Sequence, residues 1–289
     1  MRILLAGALG EVGSTVSAAL RDRGHEVIGV SSRAPLVEFP QIVEISAGLA
    51  LLRSGGVDGV IHCGGRGDRR DSDRSGLELT EALRDAAVEC GVPAVLISTT
   101  RVLEGHSGRL TDDMAPLTTT PYARANAENE ETWLATRDPR LRVLRITNYF
   151  AQPSGPNSPQ AALLPWSLVT EALAAGTITM RSGPSLTKEF VGALGVAQGA
   201  VELLRAPHAP LTCATTPGLS LSLRELAEYC AAALSGAGHD APTVTFGPDT
   251  PSGPGSEPGF LASIGWTCEL TPEQIELAIA EWIRQHYSA

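Results

Sequence analysis

The chain has 289 residues, 43% of them hydrophobic, with a mean hydropathy of +0.04. That suits one α/β domain with a smaller appended lobe better than two independent domains. Its 32 acidic and 22 basic residues give a formal charge of -10, which argues against a nucleic-acid surface and obliges any anionic ligand to find a local positive site. Five cysteines without a CxxC spacing, set apart from six histidines, argue against a metal cluster and read as reduced thiols of a cytoplasmic protein. No run of about 18 apolar residues is present, so no membrane span is expected.

In chain order, "RILLAGA" is a short apolar run that ends in glycines, a buried first strand and not a signal peptide. "VGSTVSAALRDRG" has helical spacing and stops at Gly24. "HEVIGVSS" and "VDGVIHCGG" (57–65) read as strands, "SGLELTEALRDAAVECG" (75–91) as a helix, and "PAVLISTT" (93–100) as a strand. "PYARANAENEETWLATR" (121–137) is a helix and "LRVLRITN" (141–148) a strand. This βαβα rhythm predicts a Rossmann-type, doubly wound parallel sheet over residues 1–150.

Beyond residue 150 the texture changes, and 151–289 reads mainly as a substrate-binding lobe, with later segments, about 186–215, returning to the first domain. "PWSLVTEALAAG", "LGVAQGAVELLRA", "SLRELAEYCAAALSGAG" and "TPEQIELAIAEWIRQHY" are helices, the last two carrying N-cap signals. "FGPDTPSGPGSEPG" (246–259), rich in Pro and Gly, reads as a mobile surface loop.

The chemistry starts at "AGALGEVG". Gly7, Gly10 and Gly13 stand between the first strand and the first helix, spaced GxxGxxG. Glycines let the backbone turn tightly and approach a pyrophosphate, and the helix N-terminus supplies N–H donors and a positive dipole end. The second strand then ends in Ser31, Ser32 and Arg33, with no carboxylate to hold a ribose 2′-hydroxyl. Hydroxyls and a guanidinium suit a 2′-phosphate, so NADP is expected over NAD.

Several stretches together resemble the extended short-chain dehydrogenase/reductases, in particular the NAD-dependent epimerase/dehydratase family that acts on nucleotide sugars. "DGVIHCGG" resembles its D-x-V-I-H-x-A-A strand, and "LISTTRVLEG" its I-S-S/T-x-x-V-Y-G segment. "PYARANAENE" resembles P-Y-x-x-S-K-x-x-x-E, "LRITNYFAQP" resembles L-R-x-x-N-V-Y-G-P, and "TKEFVGALGVAQGAVELL" resembles R-D-F-V-H-V-D-D-V-A with its helix. The likeness covers nearly the whole chain.

The resemblance implies a catalytic set of Tyr122 as acid/base, Thr99 hydrogen-bonding the reacting oxygen, and Asn126. It implies cofactor contacts from Gly7, Gly10, Glu11, Val12, Gly13 and the segment Cys63, Gly64 and Gly65, with Tyr122 and Asn126 at the nicotinamide end. Thr100, Asn148 and Lys188 fall at substrate-binding positions, Lys188 where an arginine meets a substrate phosphate. It also implies a homodimer built on the tyrosine helix and the helix before it, which Ala82, Ala86, Ala125 and Trp133 permit. No metal is expected. His62, Trp133 and Trp282 read as structural, Asp112 and Asp113 as loop or capping carboxylates, and "RGDRRDSDR" (66–74) as a solvated charge run.

Four departures stand out. Asn126 replaces the lysine one turn after the tyrosine. Leu103 and an inserted Glu104 replace the tyrosine of V-Y-G. Ser46 stands near where an acidic residue follows the third strand, and Gly195 replaces a late aspartate. An amide can hold a ribose but carries no charge. A free tyrosine ionises near pH 10, so without a cation only about one in a thousand is charged at neutrality. Oxidising an alcohol needs the base and reducing a ketone needs the acid. Asn126 therefore points to an NADP(H)-dependent reductase of a carbonyl, a nucleotide-linked keto-sugar, with Tyr122 as proton donor. The alternatives are a nucleotide-sugar epimerase or dehydratase, with another group assisting the tyrosine (His106 or Lys188 from a distance, Arg124 lying two residues on and off its helical face), and a non-catalytic dinucleotide-binding protein.

Overall fold

The structure, a computed structural model, describes residues 1–31, 41–64, 75–206, 211–249, 255–257 and 259–287. The first half alternates as expected: β1 (Arg2–Ala6), α1 (Glu11–Asp22), β2 (Glu26–Val30), β3 (Ile42–Val43), α2 (Ile45–Arg53), β4 (Gly59–His62), α3 (Ser75–Cys90), β5 (Ala94–Thr99), α4 (Pro121–Leu134) and β6 (Leu141–Ile146). There follow β7 (Asn148–Phe150), α5 (Trp166–Ala175), β8 (Thr177–Met180), β9 (Thr187–Gly192), α6 (Ala193–Arg205), β10 (Cys213–Thr215), β11 (Leu219–Ser222), α7 (Leu223–Gly236), β12 (Thr243–Phe246), α8 (Phe260–Ser263) and α9 (Pro272–His286).

Seven strands form one sheet in the order β10-β6-β5-β4-β1-β2-β3, and every pairing in it is parallel. The expected doubly wound sheet is therefore present. Its strand order reverses between β1 and β4, which opens a crevice beyond their carboxyl ends. The strands are buried on both faces because successive side chains alternate. Ile3 and Leu5 join the core under α1 and α6, with Val16, Leu20, Val196 and Leu204. Leu4 and Ala6 join the core on the other face, with Leu52, Leu83, Ala87 and Trp133.

A smaller assembly follows. β7 runs parallel to β9, β11 antiparallel to it, and β8 pairs with β12. Phe190, Trp166 and Trp282 are fully buried in its core. The indole of Trp166 stacks on Phe150 at 5.3 Å and meets Trp282 edge-on at 5.4 Å, geometries aromatic pairs favour. Trp133 also packs inside, donating its indole N–H to the Arg142 carbonyl at 3.0 Å. Trp133 and Ala86 are fully buried within this chain, so neither is available to a second copy; the dimer face read from the sequence has to do without them. No helix among the described residues is long and apolar enough to cross a membrane.

Segment 246–259 departs from the expected free loop. Leu110 and residues 255–257 exchange backbone hydrogen bonds, Leu110 N–H to the Gly255 carbonyl at 2.9 Å and Glu257 N–H to the Leu110 carbonyl at 2.8 Å. Glu189 holds Ser256 by both its N–H (3.0 Å) and its hydroxyl (2.7 Å). The composition signalled irregular backbone correctly, and these bonds immobilise part of it.

Helix α4 starts where its residues dictate. Thr120 caps it by accepting from Ala123 N–H at 3.2 Å, and Pro121 occupies the first turn. Farther along, Glu130 meets Arg145 of β6 at 2.8 Å with both side chains almost completely buried. The Ser98 hydroxyl of β5 donates to Glu130 at 2.6 Å, and Arg145 Nη1 donates to the Met114 carbonyl at 2.7 Å. Two ions taken out of water this way are costly unless their hydrogen bonds are met, and here they are. Replacing Glu130 with Gln should lower unfolding free energy in urea by about 3–5 kcal/mol by leaving Arg145 unpaired, and Glu130→Leu with Arg145→Met should lose less. A single variant within about 1 kcal/mol of wild type would show that the pair is not structural.

Candidate cofactor and substrate site

The glycine turn is built as a ligand cradle. Gly7 has φ +79, a conformation that favours glycine, and a Cβ there would sit 3.0 Å from the backbone of Cys63 and Gly64. A Cβ on Gly13 would lie 2.1 Å from the Gly7 carbonyl oxygen, so only glycine lets α1 start this close to β1. Gly10 is the N-cap of α1, and no side chain caps the helix. The first-turn N–H groups are thus left to a ligand, at the positive end of the dipole. Glu11 suits that dipole but not an anion beside it, so its backbone N–H is the useful part.

β4 delivers Cys63 and Gly64 next to this turn. Cys63 N–H donates to the Ala6 carbonyl at 2.9 Å, and Gly64 N–H to His62 Nδ1 at 3.1 Å. Burial pushes the Cys63 thiol up to about 12, so it stays protonated. Ser31 closes β2, its N–H bonded to the Val43 carbonyl at 3.3 Å. Ser32, Arg33 and Gly65 lie outside the described residues, as does 66–74. The residues present fit a dinucleotide: a glycine cradle whose space any Cβ would fill, an uncapped helix start, and a crevice at the strand-order reversal.

β5 and α4 carry the two residues expected to react, Thr99 and Tyr122. Thr99 is buried, and its Oγ1 accepts the Arg101 N–H at 3.2 Å, leaving its own O–H to give. Tyr122 is 38% exposed, and its phenol hydroxyl bonds no described residue. Asn126 does not face that hydroxyl. Its Nδ2 donates to the Tyr122 backbone carbonyl at 2.9 Å, which leaves its second N–H and its Oδ1 for a ribose. Of the cations considered from sequence, His106 is spent on the Ala115 carbonyl at 2.9 Å and Arg124 is exposed on the helix. The cation beside Tyr122 is Arg101, whose guanidinium lies 5.7 Å from the ring centroid. Sequence reasoning missed it, although it stands two residues after Thr99.

Thr100, Asn148 and Lys188, the three expected substrate residues, line one cavity of about 320 Å³ together with Arg101, Glu104 and Glu189. The Asn148 amide donates to the Glu189 carbonyl at 2.7 Å. Both carboxylates are engaged, Glu104 with Arg101 at 3.0 Å and Glu189 with Ser256. Lys188 pairs with no described carboxylate. Tyr122 and Thr99 are not on this wall and connect to it through Arg101. A second cavity, of about 400 Å³, lies at the far end of α1 beside Arg23, His25 and Trp266, away from all the expected residues. His62 and Asp112 are structural: the His62 ring bonds Thr80 at 2.9 Å, and Asp112 accepts the N–H groups of Thr215 (2.7 Å) and Phe260 (2.8 Å).

A profile described as the NAD dependent epimerase/dehydratase family matches residues 3–211. No curated protein matches the chain in sequence. Among solved structures, the chain is similar to the UDP-glucuronic acid 4-epimerase from Bacillus cereus in complex with NAD, at 17% identity and TM-score 0.73 over 99% of this chain and 97% of that one. It is similar to the UDP-glucose 4-epimerase of Thermus thermophilus complexed with NAD, at 21% and 0.70 over 98% and 99%. It is also similar to DesIV, a dTDP-glucose 4,6-dehydratase from Streptomyces venezuelae solved with NAD, at 22% and 0.70 over 99% and 97%. At these identities the likeness is one of fold.

Gly13→Ala should open the turn between β1 and α1. NAD affinity, followed by fluorescence titration, should fall at least about tenfold. Gly236→Ala, where nothing lies within 4 Å of the added Cβ, is the control and should bind as wild type. Unchanged binding by Gly13→Ala would mean the turn is not the cradle.

Proposed function

Because the chain belongs to the NAD dependent epimerase/dehydratase family, we propose that it catalyses an epimerase-type reaction on a nucleotide-linked sugar, with Tyr122 moving the proton. The observation that carries this is Arg101 over the Tyr122 ring. The case for a one-way reductase rested on the absence of a cation near the tyrosine. Arg101 puts a guanidinium 5.7 Å from the centre of the ring, so the tyrosine does have a cation beside it and the argument for a one-way reductase loses its premise.

NAD, when bound, would accept a hydride from the sugar carbon and return it to the opposite face, so that none would be consumed overall. Tyr122 takes the sugar hydroxyl proton in the oxidative half and returns it in the reductive half. Thr99 donates its O–H to the reacting oxygen and polarises the transient carbonyl. Lys188 and Asn148 hold the nucleotide diphosphate end, Lys188 as a cavity cation that pairs with no carboxylate among the described residues. Asn126 keeps its bond to the Tyr122 carbonyl and offers its second N–H and its Oδ1 to the nicotinamide ribose. Dehydration would need an acid and a base for the departing hydroxyl, and the two carboxylates on the cavity wall are already engaged. NAD is the proposed cofactor. Two of the residues that favoured NADP, Ser32 and Arg33, lie outside the described chain, and the similar structures were solved with NAD.

Asn126 favours one second reading, a reductase of a keto-sugar. The two are separated by incubating purified protein and catalytic NAD with a panel of nucleotide sugars and resolving the products by NMR. An inverted stereocentre without NADH accumulation supports epimerisation. Stoichiometric NADH or NADPH consumption on a keto-sugar, without epimer, supports the reductase. Tyr122→Phe should lower turnover by about 10²-fold or more with NAD affinity unchanged, and Arg101→Gln by about tenfold, with Arg101→Lys retaining most of the rate. Full activity in Tyr122→Phe would remove the proton-transfer role.

A further inference from the structure

One aromatic beside the site has no part in that mechanism. Tyr149 follows Asn148 in β7, within the smaller sheet, yet its hydroxyl hydrogen-bonds Thr15 in α1. Thr15 gives its own proton to the Glu11 carbonyl at 2.9 Å, so it accepts from Tyr149. Tyr149 packs on the same core cluster as Val12, Cys63 and Ile97, and its hydroxyl lies within electrostatic reach of Glu11 and Cys63. Burial raises that hydroxyl above its ordinary range, so it stays a donor.

The sheet order fixes what this position means. The ends of β5, β4 and β1 are adjacent, carrying Thr99, Cys63 and the glycine turn in that order. A dinucleotide with its pyrophosphate at Gly10 and its reacting ring near Thr99 and Tyr122 has to cross the end of β4. Tyr149 stands beside that crossing: its hydroxyl bonds Thr15 of α1 and its ring packs on the core cluster that Cys63 also meets.

We propose that Tyr149 is a positioning residue for the nicotinamide ring, presenting its aromatic face to it while the Thr15 hydroxyl anchors the phenol. This rests on the reading that the chain binds NAD. The anchor joins β7, which carries Asn148, to the helix of the phosphate cradle. One side chain thereby sets the reacting ring of the cofactor against the substrate lobe.

The test is calorimetric titration with NAD and, separately, ADP-ribose, which has the same adenine, riboses and pyrophosphate but no nicotinamide. Wild type, Tyr149→Val, Tyr149→Phe and Thr15→Val are compared, each first checked by thermal melting. Tyr149→Val should weaken NAD about tenfold and leave ADP-ribose unchanged. Tyr149→Phe and Thr15→Val keep the ring, lose the anchor, and should weaken NAD about threefold. If Tyr149→Val loses both ligands equally, or neither, this proposal is overturned while the cofactor reading stands. Wild type that binds neither ligand overturns both.

Discussion

The ion pair between Glu130 and Arg145 is closed to water, and the placement of the reactive groups follows from it. Glu130 lies about two helical turns beyond Tyr122 on α4. Its carboxylate takes the Arg145 guanidinium of β6 and the Ser98 hydroxyl of β5. Ser98 immediately precedes Thr99. One carboxylate therefore holds the helix that carries Tyr122 against the strand that carries Thr99. Arg145 also reaches the Met114 carbonyl, which ties down the loop that leads into α4. Exposed charges could not do this, because water would compete for every one of those bonds.

Given that frame, the exchange of a lysine for Asn126 is a local change. The amide satisfies a carbonyl of its own helix and leaves the phenol to whatever approaches from elsewhere. What approaches is Arg101, from the 3-10 turn Thr100–Leu103 that continues β5. Glu104 shares that guanidinium, so the inserted residue and the relocated charge belong together. The cavity wall carries two cations, Arg101 and Lys188, which balance its two carboxylates although the chain as a whole is acidic.

The parallel sheet was legible because its strands are short apolar runs bounded by glycines, which is what burial on both faces requires. The glycine turn was legible for the same reason: Gly7 and Gly13 leave no room for a side chain. Helix α2 was not, since "ISAGLALLR" is apolar almost throughout and carries no cap that pattern alone can find. β10 escaped because three residues show no period, and only their pairing with β6 makes them a strand. In the site, positions tied to a local frame, such as Tyr122, Thr99 and Asn148, could be placed along the chain. Arg101 and Tyr149 could not. Each acts through a neighbour that is remote in sequence or on another element, and one chain gives no sign of such approaches. The small and apolar positions read as a dimer face show the reverse error: Ala86 and Trp133 are apolar because they fill this chain's own core.

α6 and β10 have a consequence for how the polypeptide comes into being. α6 covers the first sheet and β10 extends it, yet the ribosome makes them only after the opening segments of the second lobe. Until residue 205 emerges, Ile3, Leu5, Val16 and Leu144 lack the helix that covers them, and β6 remains an open edge until Thr215. The nascent nucleotide-binding half must wait, unsealed, for the lobe that interrupts it. Cutting the gene at residue 150 would not separate two working parts. It would release a sheet with one face uncovered and one edge unpaired.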